Sequence, residues 1–181
     1  LELPNLIDCI QPLWHGKFAG VIIVWGEAGI GKSRLVYELN ALHVHEKRNV
    51  LWALCHTDQI LRHSFNPFRY WLFRYFGIES TLADAAQKQI FDAKLDDLIN
   101  KTTDPDLAGE LDRVRTVLGA LLDLYWVDSF YDKLDAEGRY NNTLTGLIAL
   151  IKAESLCRPV LIFIEYAQFM DDDSRSFLPR L

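Results

Sequence analysis

The chain has 181 residues, half of them hydrophobic and 12% aromatic, and its formal net charge at pH 7 is −6. This length and apolar content predict one folded domain with a sizeable core and exclude a disordered chain. The acidic balance argues against direct nucleic-acid binding, and no apolar run reaches the length of a membrane span.

The spacing of the three cysteines indicates the redox state of the compartment in which the protein works. Cys9, Cys55 and Cys157 are scattered and show neither a metal-ligand nor a disulfide spacing. They favour buried thiols in a reducing compartment, so we expect a cytoplasmic protein. Because the chain begins at Leu1 rather than Met, we also expect it to be part of a longer polypeptide.

The first predicted elements are a helix, a strand and a second helix. Apolar residues recur at helical spacing over Pro4–Trp14. Val21–Trp25 is rich in β-branched residues and stops at Gly26, which predicts a strand buried on both faces. A helical pattern follows almost at once and runs to about Lys47.

Between this strand and this helix lies a glycine-rich loop, Gly26–Ser33, with the sequence GEAGIGKS. It matches G-x-x-x-x-G-K-S, the pattern of a phosphate-binding P-loop, whereas a chance match is expected in about one chain per hundred of this length. Glycine lets backbone N–H groups face a polyphosphate, and the following helix directs its positive end at the same anion. The motif assigns Lys32 to the β- and γ-phosphates and Ser33 to Mg²⁺.

A second strand is predicted over Val50–Cys55, which is another apolar run. Just before it, His43 and His45 lie two residues apart and would point in different directions from a helix. Solvated side chains are therefore favoured there over a zinc site.

Helical patterns fill the middle of the chain. Asn66-Pro67 predicts the start of an aromatic-rich helix with Asn66 as its cap, Thr81–Asp84 predicts a capping box, and Asp104 predicts a third cap. The first of these helices has one apolar face, which favours packing in a core or against a partner domain over stacking on bases. That face consists of Phe68, Trp71, Leu72 and Tyr75.

A last long helix is predicted over about 137–156, and Val160–Glu165 then forms a third buried strand that ends in an acid. A strand that delivers a carboxylate beside a P-loop holds Mg²⁺ and its waters in P-loop ATPases. Glu165 is therefore the candidate Walker B acid. For this residue taken alone, a surface glutamate at the end of a strand is the alternative.

Two segments carry a family resemblance: Gly26–Leu35, GEAGIGKSRL, and Leu161–Ser174, LIFIEYAQFMDDDS. Together they resemble the AAA-type ATPase domain of bacterial multidomain regulators, the signal-transduction ATPases with numerous domains, which also occur joined to nucleotide cyclases. Glu165 takes the place of the family's first acid, Gln168-Phe169 that of its glutamine–tryptophan pair, and Asp171 that of its aspartate. The resemblance covers most of the chain and is specific at these two motifs.

The resemblance implies an ATP-binding switch that couples a sensor to an output domain, with ATP and Mg²⁺ as cofactors. The implied nucleotide-binding residues are Gly26, Glu27, Ala28, Gly29, Ile30, Gly31, Lys32, Ser33 and Arg34. Ser33 and Glu165 are the implied metal ligands, and Lys32 and Glu165 the implied catalytic residues. The resemblance also implies that other domains of the same polypeptide are its partners, and that the domain self-associates when it binds ATP.

Three departures from the family pattern bear on hydrolysis. Tyr166 stands where the family's second acid activates water, and a tyrosine, which is about 0.1% ionised at pH 7, is a poor base. The glycine–arginine segment that contacts adenine is missing before Leu1, and the family's later strands and sensor residue would lie beyond Leu181. We therefore expect ATP binding with slow hydrolysis.

The predicted fold is α/β, a three-layer P-loop NTPase sandwich with a mostly parallel, incomplete sheet and a helical insertion before the Walker B strand. We expect a partial P-loop ATPase domain over residues 1–181, with a Walker A subregion (1–65), the insertion (66–127) and a Walker B subregion (128–181). The P-loop and Walker B strands should be parallel, with a vacant slot between them. Two other functions stay open: a phosphotransferase similar to nucleotide kinases, and a structural interaction domain with a vestigial P-loop.

Overall fold

The structure is a computed structural model that describes residues 2–58, 60 and 63–181. Its described residues form the α-helices α1 Glu2–Ile10, α2 Lys32–His45, α3 Asn66–Phe76, α4 Asp84–Lys101, α5 Pro105–Arg113, α6 Arg115–Ala120, α7 Ala136–Cys157 and α8 Asp172–Phe177. The strands are β1 Leu51–His56 and β2 Val160–Glu165. Short 3₁₀ helices cover Gln11–His15, Ala167–Phe169 and Leu178–Arg180.

The chain divides into two compact units. The first contains the chain up to Trp52 together with Arg158–Leu161. The second contains Ala53–Cys157 and Ile162–Leu181, in the part of the chain that the structure describes.

Strands β1 and β2 pair directly and run parallel. The Leu51 N–H donates to the Pro159 carbonyl at 2.9 Å, and the Thr57 N–H donates to the Glu165 carbonyl at 3.3 Å. The sequence offset is the same at both ends, as it is between parallel strands. The two predicted strands and the helical insertion between them are therefore confirmed, in an α/β fold whose sheet is incomplete.

The predicted P-loop strand is wrong for this structure. Val21–Trp25 belongs to no strand, and its backbone makes no backbone hydrogen bond with any described residue. Val21 and Trp25 are 86% and 87% exposed, so the segment is not buried on two faces. A strand needs a neighbour that pairs with its N–H and C=O groups, and the described sheet provides none for this segment.

Two predicted helix caps are also wrong. Asn66 lies inside α3, whose N-cap is Phe65, because the capping carboxylate comes from Asp171, 105 residues later in the chain. Helix α4 starts after Ala83, two residues beyond Thr81, because its first backbone bonds close on the Ala83 carbonyl. The predicted cap Asp104 is confirmed, since its side chain accepts from the N–H groups of Asp106 and Leu107.

The second unit has a packed apolar core. The predicted inner face of α3 is confirmed: Phe68, Trp71, Leu72 and Tyr75 are all buried. Helix α7 packs against α4, α5 and α6, which gives these helices a common core. Its fully buried side chains include Phe91, Leu95, Leu111, Leu118 and Leu147.

The first unit has a smaller core between α1 and α2. Leu6, Ile10 and Leu39 are its buried centre. His43 is also buried, with its ring centroid 5.1 Å from that of Trp14, whereas its neighbour His45 is exposed. The prediction that both histidines are solvated is therefore wrong for His43, because α2 turns this residue toward Trp14.

Only one of the three cysteines matches the predicted burial. Cys55 is buried in β1, and this burial raises the pKa of its thiol. Cys9 and Cys157 are exposed, so the expectation of three buried thiols is wrong. Both lie on helices, where an inward direction depends on the packed face rather than on residue type.

Candidate functional site

The glycines of the loop before α2 adopt conformations that other residues avoid. Gly26, Gly29 and Gly31 have φ angles of 150°, 80° and 97°. A Cβ at Gly29 or Gly31 would meet no atom within 4 Å, so backbone conformation rather than crowding requires glycine at these two positions. Gly31 is the N-cap of α2, so the loop leads directly into the helix start.

Several backbone donors of this loop are uncommitted. Ile30 donates to the Glu27 carbonyl at 3.5 Å, a long bond that closes the turn. Ile30 is the only residue of this loop whose N–H finds an acceptor among the described residues, so the N–H groups of Gly29, Gly31, Lys32 and Ser33 are among those left without one. Donors at a helix start are satisfied by water, a cap or a ligand, and a phosphate is an anion that fits such a set.

The Lys32 side chain folds back over the loop. Its Nζ donates to the carbonyls of Gly26 at 3.0 Å and Glu27 at 2.8 Å. An ammonium group has three donors, and both partners here are neutral, so an arriving phosphate would be a stronger acceptor. Arg34, by contrast, is exposed and pairs along the helix with Glu38 at 2.9 Å.

A groove of about 280 Å³ lies beside the loop within the first unit. Helix α1 lines one side of it, and the extended segment before the loop lines another. Its lining combines apolar side chains with a few polar groups, Lys32 among them. The remaining lining residues are Glu2, Asn5, Leu6, Cys9, Ile22, Ile23, Val24, Trp25, Ile30 and Leu35.

The candidate acid Glu165 ends β2 in the second unit, with 11% of its side chain exposed. Its Oε2 lies 3.3 Å from Nδ1 of His56, the last residue of β1. The following residue, Tyr166, is half exposed and has a φ of 56°, a left-handed conformation that is uncommon for a tyrosine. Its ring meets that of His56 edge-on, with centroids 5.6 Å apart.

The family comparison agrees with this geometry. The model of the AAA ATPase domain matches residues 2–181, nearly the whole chain. The chain belongs to this family. It is thus an AAA ATPase domain of the P-loop type, and this family implies a nucleotide-binding module. Comparison with curated proteins and with solved structures gives no match.

The described part of the AAA ATPase domain contains no preformed metal cage. Among the described residues no three His, Cys, Asp or Glu side chains lie close enough to hold a metal ion. Mg²⁺ commonly keeps several waters and binds through one or two protein oxygens together with phosphate oxygens. The Ser33 hydroxyl in the first unit and the Glu165 carboxylate in the second are each an oxygen group of the kind that Mg²⁺ binds. No described helix combines the length and apolar character that a bilayer crossing would need.

Asp171, which the sequence resemblance matches to the family's aspartate, organises the turn after β2. Its carboxylate accepts from the N–H groups of Phe65 and Asn66 at 3.0 and 3.2 Å, and from Ser174 N at 2.9 Å and Oγ at 2.7 Å. One side chain therefore caps both α3 and α8. Gln168, which the sequence resemblance matches to the family's glutamine, accepts from Arg175 through its backbone carbonyl at 3.2 Å.

Sequence reasoning missed His56 and Thr57, the two residues of the second unit that contact Glu165 from the end of β1. A usable signal was present, because adjacent parallel strands bring their carboxyl ends to the same edge of a sheet. The polar pair that follows the second apolar run was therefore a candidate neighbour of the acid that follows the third.

Proposed function

We propose that this AAA ATPase domain is an ATP-binding switch in a multidomain signalling or regulatory protein. One observation carries the proposal: a glycine-shaped loop presents uncommitted N–H groups at the start of α2, with a lysine ammonium bonded to neutral loop carbonyls. This combination of oriented donors and one cation suits a polyphosphate better than a neutral ligand.

In this proposal the loop residues Gly26–Ser33 bind the phosphates, and Lys32 exchanges its two loop carbonyls for phosphate oxygens. Arg34, at the helix surface, adds positive charge near them. The groove lined by α1 takes the less polar part of the nucleotide. Ser33 and Glu165 serve the Mg²⁺ that accompanies ATP, which neutralises phosphate charge.

The switch role rests on how the turn after β2 is attached. Asp171 ties this turn to the first residues of α3, so a change near Glu165 has a bonded route into the helical insertion. We place a Walker A subregion at 1–65, the insertion at 66–127 and a Walker B subregion at 128–181. This change would be passed on to other domains of the same polypeptide and would promote ATP-dependent self-association.

The test is the ATP affinity of Lys32→Ala, measured by calorimetry with Mg²⁺ present. The variant loses a charge-assisted bond worth about 1.5–3 kcal/mol, so affinity should fall roughly ten- to a hundredfold. Lys17→Ala is the matched control, because Lys17 is an exposed lysine of the same unit outside the loop, and it should bind as the wild type does. Equal affinity in wild type and Lys32→Ala would refute the proposed site.

We further propose that hydrolysis is slow because Tyr166 replaces the base that activates water. Its left-handed backbone makes aspartate a better replacement than glutamate, because Asp and Asn tolerate this conformation. Tyr166→Asp should raise the rate of phosphate release, whereas Tyr166→Asn, which has the same shape without the carboxylate, should not. Fast wild-type turnover that neither substitution changes would show that another group is the base.

A further inference from the structure

We propose that the end of β1, His56 and Thr57, is a positioning pair that fixes Glu165 and the peptide after it before Mg²⁺ binds. This inference rests on the proposed role of Glu165 toward Mg²⁺. It concerns residues that neither the P-loop pattern nor the Walker B pattern includes, and all of them lie within the second unit.

Thr57 bonds to the carbonyls on both sides of Tyr166. Its Oγ1 lies 2.9 Å from the Glu165 carbonyl and 2.6 Å from the Tyr166 carbonyl, so its one hydroxyl hydrogen is shared between them. Its own N–H donates to the Glu165 carbonyl at 3.3 Å. Thr57 as a residue is 3% exposed, so water does not compete freely for these bonds.

These two carbonyls belong to the peptides that flank the Tyr166 Cα, so Thr57 restrains both backbone angles of Tyr166. The left-handed φ of 56° is unfavourable for a tyrosine unless its surroundings hold it. Since the Glu165 carbonyl is one of the two, the same bonds set the direction in which the Glu165 side chain leaves the strand.

His56 acts on the side chain rather than on the backbone. A carboxylate only accepts hydrogen bonds, so the hydrogen between Nδ1 and Glu165 Oε2, 3.3 Å apart, belongs to the imidazole. The ring also contacts two tyrosines, with centroids 5.5 Å from Tyr70 and 5.6 Å from Tyr166. His56 therefore favours the rotamer in which Glu165 Oε2 faces its ring.

An acid that is already oriented pays less ordering entropy when Mg²⁺ arrives with the nucleotide. Loss of an outer-shell partner typically costs about ten- to a hundredfold in metal affinity. The quantity to measure is the Mg²⁺ enhancement, defined as the ratio of the ATP dissociation constants in EDTA and in Mg²⁺. A purely structural role of Thr57 would lower the unfolding midpoint without changing this ratio.

The experiment compares the enhancement in the wild type, Glu165→Gln and Thr57→Val. Thr57→Val keeps the shape and loses the hydroxyl, and we expect it to reduce the enhancement about tenfold. Thr57→Ser, which keeps the hydroxyl, should keep the enhancement at the wild-type value. Thr145→Val makes the same change at a half-buried threonine of α7, whose Oγ1 bonds to the Asn141 carbonyl, and should leave the enhancement unchanged.

Each outcome decides between the two proposals. If Glu165→Gln leaves the enhancement at the wild-type value, the proposed role of Glu165 fails, and the positioning role fails with it. If Glu165→Gln abolishes the enhancement and Thr57→Val retains it, the positioning role alone is overturned. Should Thr57→Val not fold, His56→Phe decides: a reduction supports the inference, and a wild-type ratio overturns it.

Discussion

The loop region of the first unit and the helices of the second use apolar residues in opposite ways. Helices α3–α7 bury theirs in a shared core, and Phe91 is fully buried there. The extended segment Val21–Trp25 is as apolar as any of these helices, yet Ile23 is 78% exposed. Apolar side chains become buried when neighbouring elements cover them, and the described sheet has no strand beside this segment.

The loop that follows this segment adopts the backbone conformations of a phosphate-binding loop, although no strand pairs with the segment before it. Gly29 and Gly31 take left-handed angles with no atom within 4 Å of an added Cβ, so neighbouring elements do not impose them. The comparison thus separates two kinds of order. A phosphate loop is specified locally by glycine and by a helix start, whereas a strand depends on its partners.

The largest effect that the comparison predicts is for Phe91→Ala. Phe91 is fully buried, with its ring centroid 4.6 Å from that of Phe76, so truncation should lower the free energy of unfolding by about 3–5 kcal/mol in urea titrations. Ile23→Ala, the control from the exposed segment, should change it by less than about 0.5 kcal/mol. Equal losses would show that the segment is covered in solution.

A smaller loss is expected for Asp171→Ala, which removes a polar rather than an apolar anchor of the second unit. The caps of α3 and α8 both lose their acceptor, so the free energy of unfolding should fall by about 1–3 kcal/mol. Asp172→Ala is the matched control, because the Asp172 side chain is fully exposed and its pairing distance to Arg175 is 3.7 Å. If the two variants unfold at the same urea concentration, the double cap contributes nothing.

Sequence reasoning succeeded where the signal is local. The periodicity of Phe68, Trp71 and Leu72 gave the inner face of α3, and Asp104 was found from its position before a proline. It failed where residues distant in the chain meet. Thr57 bonds to the carbonyl of a residue 108 positions later, and Asp171 replaces Asn66 as the cap of α3. The pairing of parallel strands could place Thr57 at the same sheet edge as Glu165, but no period or spacing in the sequence predicts its individual bonds or the contact of Asp171 with α3.

The most direct test of the central claim is hydrogen exchange of the backbone amides of Gly29, Gly31, Lys32 and Ser33. We predict that Mg-ATP slows their exchange about tenfold or more, because each uncommitted N–H gains a phosphate acceptor. AMP, which lacks the β- and γ-phosphates, should leave these rates unchanged. Tight binding of ATP without any change at these four amides would contradict the account, because the nucleotide would then bind elsewhere.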